Sequence, residues 1–140
     1  MINIILYQPE KPQNTGNIMR TCSAIGAKLH IIGPLSYEIN DANLKRAGMD
    51  YIDELDYKVY KDYQEFIKEY NDVDIYYVTR YGLKTYSDNN YKTSKDLYFM
   101  FGKESTGIPK DILKSHLDHC IRLPMKVDAR SLNLSNCVAI

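Results

Sequence analysis

The sequence predicts an α/β domain with a mostly parallel sheet, and two observations carry that expectation. Short apolar runs alternate with amphipathic segments from one end of the chain to the other, the pattern of βα repeats. The strand candidates are continuous apolar stretches, as expected of strands buried on both faces. At 140 residues the chain is one domain's worth, long enough for a real core, and no repeat or low-complexity linker divides 1–140.

INIILY, residues 2–7, is a buried strand stopped by Pro9. A helix follows over residues 15–25, where Ile18, Cys22 and Ile25 recur at i, i+4 and i+7 and Gly26 occupies the position of a C′ glycine. KLHIIG supplies a second strand. NDANLKRAG opens with the capping candidates Asn40 and Asp41 and closes on Gly48, which predicts a short helix. YKVY is a strand, and the next helix has Tyr60, Tyr63, Phe66, Ile67 and Tyr70 on one stripe. DIYYVT is another strand; residues 80–95 are polar and turn-rich, and read as an irregular excursion. LYFMFG is a continuous apolar strand, residues 103–107 a tight turn, and Pro109 suits the first turn of a helix running to about residue 117. HCIRLPM gives a last strand, broken at Pro124. SLNLSNCVAI starts with capping residues and ends apolar and uncapped, like a helix cut in mid-course.

Composition narrows the chemistry. Eighteen Lys and Arg balance eighteen Asp and Glu, so any nucleic-acid site must be local. The start lacks the basic and long apolar regions of a secretory leader, and no run approaches the roughly 18 apolar residues of a membrane span. A soluble, cytoplasmic protein is expected. Cys22, Cys120 and Cys137 are odd in number and lack CxxC spacing, which predicts reduced thiols without a disulfide framework or zinc knuckle. His116, His119 and Cys120 cluster without a second ligand group, so solvated helix-end histidines are expected and no metal. GKESTG lacks the spacing of a P-loop or of GxGxxG, and GxSxG is absent.

Ligands of parallel sheets collect outside the carboxyl ends of the strands, where three loops fall: residues 8–17, 102–107 and 124–136. By residue type alone Asn14 is an N-cap candidate, Arg20 a solvated arginine opposite the apolar face of its helix, and Glu104 an acid ahead of a helix start. Ser131, Asn133, Ser135 and Asn136 exceed the needs of one cap.

Together, NTGNIMR, FGKESTG and IRLPMKVDARSLNLSNCVA resemble, in order and spacing, the three motifs of the SPOUT-class methyltransferases, in the SpoU branch that methylates RNA ribose 2′-hydroxyls. The likeness spans the chain, and NIILYQPEKPQNTGNIMRTCSAIGAKLHIIGPL with LKRAGMDY is similar to the small TrmL type, which modifies the wobble nucleotide of tRNA, a cytidine or modified uridine. The resemblance implies five or six parallel strands with helices on both faces, a C-terminal trefoil knot, a homodimer with its site near the interface, and bent S-adenosylmethionine. It places cofactor contacts near Val78, Gly102, Ile121, Leu123, Met125 and Ser131, with Gly102 allowing close approach. Arg20 either takes the 2′-hydroxyl proton or binds phosphate and stabilises the alkoxide; Asn14 orients it, Glu104 organises the network and pairs with Arg20, and Ser131 and Asn133 complete the set. RNA contacts, with the tRNA anticodon stem-loop as partner, have Arg46, Arg80, Lys84, Lys126 and Arg130 as phosphate ligands and Tyr81 or Tyr86 as stacking platforms. Ribosomal RNA as substrate, a non-catalytic cofactor- or RNA-binding relative, and a purely structural α/β interaction protein are the competing readings.

Overall fold

The computed structural model describes residues 1–40, 42, 54–93 and 95–140. Its elements are β1 (Ile2–Tyr7), α1 (Pro12–Ile25), β2 (Lys28–Ile32), β3 (Tyr57–Tyr60), α2 (Tyr63–Tyr70), β4 (Ile75–Val78), β5 (Lys84–Thr85), β6 (Leu97–Phe101), α3 (Lys110–Lys114), β7 (Cys120–Arg122) and α4 (Leu134–Ala139). The strands form one sheet in the order β3-β2-β1-β6-β4-β7-β5, and every pairing is parallel. The sheet has seven strands rather than five or six. The addition is β5, two polar residues at the edge beside β7, too short to leave an apolar run in the sequence.

Strand alternation splits the core in two. Ile4 and Leu6 of β1, Leu29 and Ile31 of β2 and Phe101 of β6 face α1 and α4, meeting Ile18, Met19, Cys22 and Leu134. Ile5, Ile32, Tyr77 and Met100 point the other way, to Phe66 of α2 and to Ile112 and Leu113 of α3. Helices therefore cover both faces.

Local chemistry moves several boundaries. α1 begins three residues before the expected start, because Pro12 lacks an N–H and has φ preset for the first helical position. It ends at Gly26, in the left-handed region at φ 70°. Its buried stripe runs through Thr15, Ile18, Met19 and Cys22, whereas Ile25 is 61% exposed; the helix rolls Met19 inward instead. Tyr60 belongs to β3, not to the following helix, which Asp62 caps by accepting from the Glu65 N–H at 2.9 Å. Pro109 is the residue before α3, and that helix stops at Lys114 before a separate 3-10 turn, Leu117–His119. The excursion over 80–95 contains β5 and a 3-10 turn, Tyr86–Asp88. The helix expected over 40–48 lies mostly outside the described residues, as does Arg46.

One polar group sits inside this core. His30 of β2 is fully buried, with Nε2 2.9 Å from Asn3 Oδ1 and Nδ1 2.9 Å from the Tyr60 hydroxyl. Asn3 Nδ2 donates to the Leu97 carbonyl at 3.4 Å, so its Oδ1 is the acceptor; Nε2 then carries the ring proton and Nδ1 accepts from Tyr60. The network ties β1, β2, β3 and β6 together. Burial lowers the imidazole to about 4, with Lys28 adding to the effect. Between pH 6.5 and 4 the unfolded chain binds a proton that the folded chain refuses, so stability falls as pH drops through that window. The difference amounts to about 3 kcal/mol. Urea unfolding across that range should show the decline, and His30→Gln should flatten this segment while lowering stability at pH 7 by about 1–3 kcal/mol.

Candidate active site

β1 and β6 are neighbours at the centre of the sheet, yet β1 leads by α1 to β2 on one side while β6 leads by α3 to β7 on the other. That is a switch point, where the outgoing loops diverge and leave a crevice. A cavity of about 380 Å³ opens there, within the range of small-molecule sites. Its walls come from the loops after β1, β4, β6 and β7 and from the start of α4.

A chain of hydrogen bonds forms one wall. The Glu104 carboxylate accepts from the backbone N–H groups of Glu10 at 2.8 Å and Lys11 at 2.9 Å, and from Asn14 Nδ2 at 3.1 Å. Asn14 Oδ1 accepts from Asn133 Nδ2 at 3.0 Å. Asn133 Oδ1 in turn accepts from the Asn136 N–H at 3.2 Å and from the Ser135 hydroxyl, capping α4. Glu10 reciprocates, accepting from Ser105 N–H at 2.8 Å and Oγ at 2.6 Å, which holds its carboxyl below the usual carboxylate range. The three polar loops thus become one unit.

This geometry corrects two expectations. Asn14 is not the N-cap of α1: Lys11 holds that position without a side-chain cap, and Asn14, two residues past Pro12, is 5% exposed inside the helix. Glu104 does the capping from another loop. Within one chain, moreover, the partners of Glu104 are Asn14 and the backbone of residues 10 and 11, not Arg20. Arg20 lies six residues beyond Asn14, about 9 Å along the helix, exposed and outside the cavity lining.

Val78, Gly102, Leu123, Met125 and Ser131 all line the cavity, as do Asn14, Glu104 and Asn133. Ile121 does not. It is 1% exposed in β7, where its carbonyl accepts from the Thr79 N–H at 2.9 Å and so sets the edge of the pocket from behind. Gly102 is needed by the fold itself. A Cβ there would lie 2.1 Å from the Gly107 carbonyl carbon, so glycine allows the 103–107 turn to close on its own start. Gly107, at φ 75°, donates its N–H to the Lys103 carbonyl at 2.9 Å.

Sequence reasoning missed Glu10, Lys11 and Thr79; for Glu10 the sole signal was its place between two prolines at a strand exit. Arg80 and Tyr81, read as RNA ligands, also line the cavity, whereas Lys84, Tyr86, Lys126 and Arg130 do not. His116 is exposed, as expected, and His119 half-buried; they stack on Tyr77 and Tyr76 with centroids 4.8 and 5.2 Å apart. Among the described residues no three His, Cys, Asp or Glu side chains converge as a metal site would require, and all three cysteines are free, Cys22 being pushed up to about 12 by burial. No helix among them is long and apolar enough to cross a membrane.

An open parallel sheet with a ligand-sized crevice at its switch point and a fixed polar relay on one wall is the architecture of an α/β enzyme. The chain belongs to the SpoU rRNA Methylase family, whose pattern it matches over residues 1–140. It is 46% identical over 139 residues to a Listeria monocytogenes protein provisionally named a tRNA (cytidine(34)-2′-O)-methyltransferase, covering 99% of this chain and 82% of that one. The tRNA (cytidine(34)-2′-O)-methyltransferase of Escherichia coli is 40% identical over 141 residues, covering 100% and 88%. A structure described under 2-OH methylation of C/U34 on tRNA superposes with TM-score 0.87 at 33% identity, covering 99% and 90% of the two chains.

Removing the relay's hub should be measurable without substrate. Glu104→Ala removes the acceptor of two backbone N–H groups and of Asn14 Nδ2 and should lower stability in urea by about 1–3 kcal/mol. Gly102→Ala should unfold at lower denaturant still, since its clash is with backbone.

Proposed function

We propose that the protein transfers a methyl group from S-adenosylmethionine to the ribose 2′-hydroxyl of the wobble nucleotide, cytidine or modified uridine, of tRNA. The observation that carries this reading is the Glu104–Asn14–Asn133 relay, which joins the three motif loops of the family beside a cavity of about 380 Å³. Family membership and the names of the E. coli and Listeria relatives supply the substrate class.

The residues present fit the cofactor. Val78, Leu123, Met125 and Ile108 offer apolar walls for a flat adenine, and the compact turn at Gly102–Gly107 presents backbone rather than bulk. When bound, the cofactor supplies an electrophilic methyl group on a sulfonium. The protein's part is positioning: holding the ribose oxygen at attack distance removes most of the entropic barrier. Asn14 and Asn133, locked by each other and by Glu104, are pre-organised to orient the ribose, and Ser131 offers a hydroxyl on the same wall. Arg20 stays protonated, as guanidinium does, so its role is to bind an RNA phosphate and stabilise the developing alkoxide while solvent takes the proton.

Arg20 does not line the cavity of its own chain, and it makes no ion pair or hydrogen bond with the described residues. It serves the cavity of a second copy in the homodimer that the resemblance implies, with the C-terminal segment threaded as a trefoil knot within a single 1–140 domain. Calorimetry should find S-adenosylmethionine binding, and tritiated methyl should pass to bulk tRNA at a site resistant to alkaline cleavage. Arg20→Ala should bind cofactor normally and lose at least about 100-fold in transfer. Mixing it with Asn133→Ala should restore part of the activity through hybrid dimers. Wild-type protein that neither binds the cofactor nor transfers methyl would refute the enzyme reading; label on ribosomal RNA alone would move the substrate.

A further inference from the structure

We infer that Tyr81 is a stacking platform for an RNA base adjacent to the methylated nucleotide, flanked by Arg80 and Lys110 as phosphate ligands; this rests on the reading above. Tyr81 follows β4 at the mouth of the cavity, and its side chain leaves the residue 54% exposed, although twelve other tyrosines are available to bury. The Arg80 guanidinium carbon lies 5.0 Å from its ring centroid and the Lys110 ammonium 5.7 Å, while Arg80 Nη2 donates to the Tyr81 hydroxyl at 2.8 Å. An aromatic face beside two cations is what an unpaired nucleotide requires, since every base has a π-face and every nucleotide a phosphate.

The platform is held rigidly. The Tyr81 N–H donates to Thr79 Oγ1 at 3.2 Å and the Gly82 N–H to the Thr79 carbonyl at 3.0 Å. The Gly82 carbonyl accepts from Arg122 Nη1 at 3.0 Å, and a Cβ on Gly82 would lie 2.4 Å from the Ile121 carbonyl carbon. Only glycine lets this turn lie against β7, so the backbone that carries the ring is fixed before any ligand arrives.

Charge points the same way. The chain is formally neutral, yet Lys11, Arg80, Lys103 and Lys110 gather on this rim. Among the described residues the ion pairs lie elsewhere, between the Met1 ammonium and Asp96 and between Lys58 and Glu69. Lys11 and Lys103 lie in the field of the Glu10 carboxylate, whereas Arg80 and Lys110 make no ion pair among the described residues, and these two cations beside an exposed ring select a polyanion that carries bases.

The test uses Tyr81→Leu and Tyr81→Phe with a stem-loop RNA carrying 2-aminopurine beside the target nucleotide, and calorimetry with S-adenosylmethionine. Tyr81→Leu should bind the RNA roughly 5- to 150-fold more weakly and abolish the quenching that stacking produces, with cofactor affinity unchanged. Retained cofactor binding also shows that the variant is folded. Tyr81→Phe keeps the ring and should stay within about threefold of wild type, since it loses only the bond from Arg80. Wild-type RNA affinity in Tyr81→Leu overturns the platform while methyl transfer by the unaltered protein leaves the enzyme reading intact. An equal loss of cofactor affinity also overturns it, making Tyr81 part of the cofactor wall. A wild-type protein that neither quenches nor transfers methyl refutes both.

Discussion

The polar wall at the carboxyl edge of the sheet depends on one carboxylate. α1 starts without a side-chain cap and with proline in its first position, so its leading N–H groups need an acceptor from elsewhere. Glu104, more than ninety residues later in the chain, supplies it, and its remaining capacity fixes Asn14. Because Asn14 is a primary amide, it passes the constraint on: its NH₂ is taken by Glu104, so its carbonyl oxygen can face only a donor, which Asn133 provides. Donor and acceptor directions are thereby set along the whole wall. Under the proposed function, a ribose at this wall would meet groups whose orientation is already decided, the condition for catalysis by positioning.

The architecture was legible in the sequence because its signals are redundant. Six strands announce themselves as apolar runs, and Gly26 marks the end of α1; the expected helices miss the starts at Pro12 and Asp62, because a proline and an acid ahead of an apolar stripe do not by themselves fix where a helix begins. β5 was not legible, since a two-residue edge strand of Lys84 and Thr85 has neither length nor apolar character. The site was legible as a list of residue types in three loops, but not as a wiring diagram. Nothing in the sequence distinguishes Glu104 bonded to Arg20 from Glu104 bonded to the backbone of Glu10 and Lys11, because that choice is made by the adjacency of β1 and β6. Ile121 shows the same limit: its motif neighbours reach the cavity while strand alternation turns it into the core.

The two faces of the sheet divide the labour. One carries aliphatic packing under α1 and α4, both of which also present the polar relay. The other carries the aromatic cluster of Tyr60, Phe66 and Tyr70 around His30, remote from the cavity. His30 resembles a functional histidine only in being polar and enclosed; both ring nitrogens are spent on Asn3 and Tyr60, leaving no free lone pair or proton for chemistry. Among the described residues every tyrosine but Tyr81 is buried or half-buried, which makes an exposed one at the cleft mouth informative.

The strand order has a consequence for how the protein comes into being. β1 is central but pairs with β2 on one side and with β6, some ninety-five residues later, on the other. During synthesis the first strand therefore waits, half-paired, until two thirds of the chain has emerged, and the polar wall waits longer, for Asn133. A sheet whose described pairings are all parallel folds slowly for the same reason, since each ladder closes a long loop first. The crevice is thus a late product of folding, closed only once β4, β6, β7 and α4 have all been added to β1.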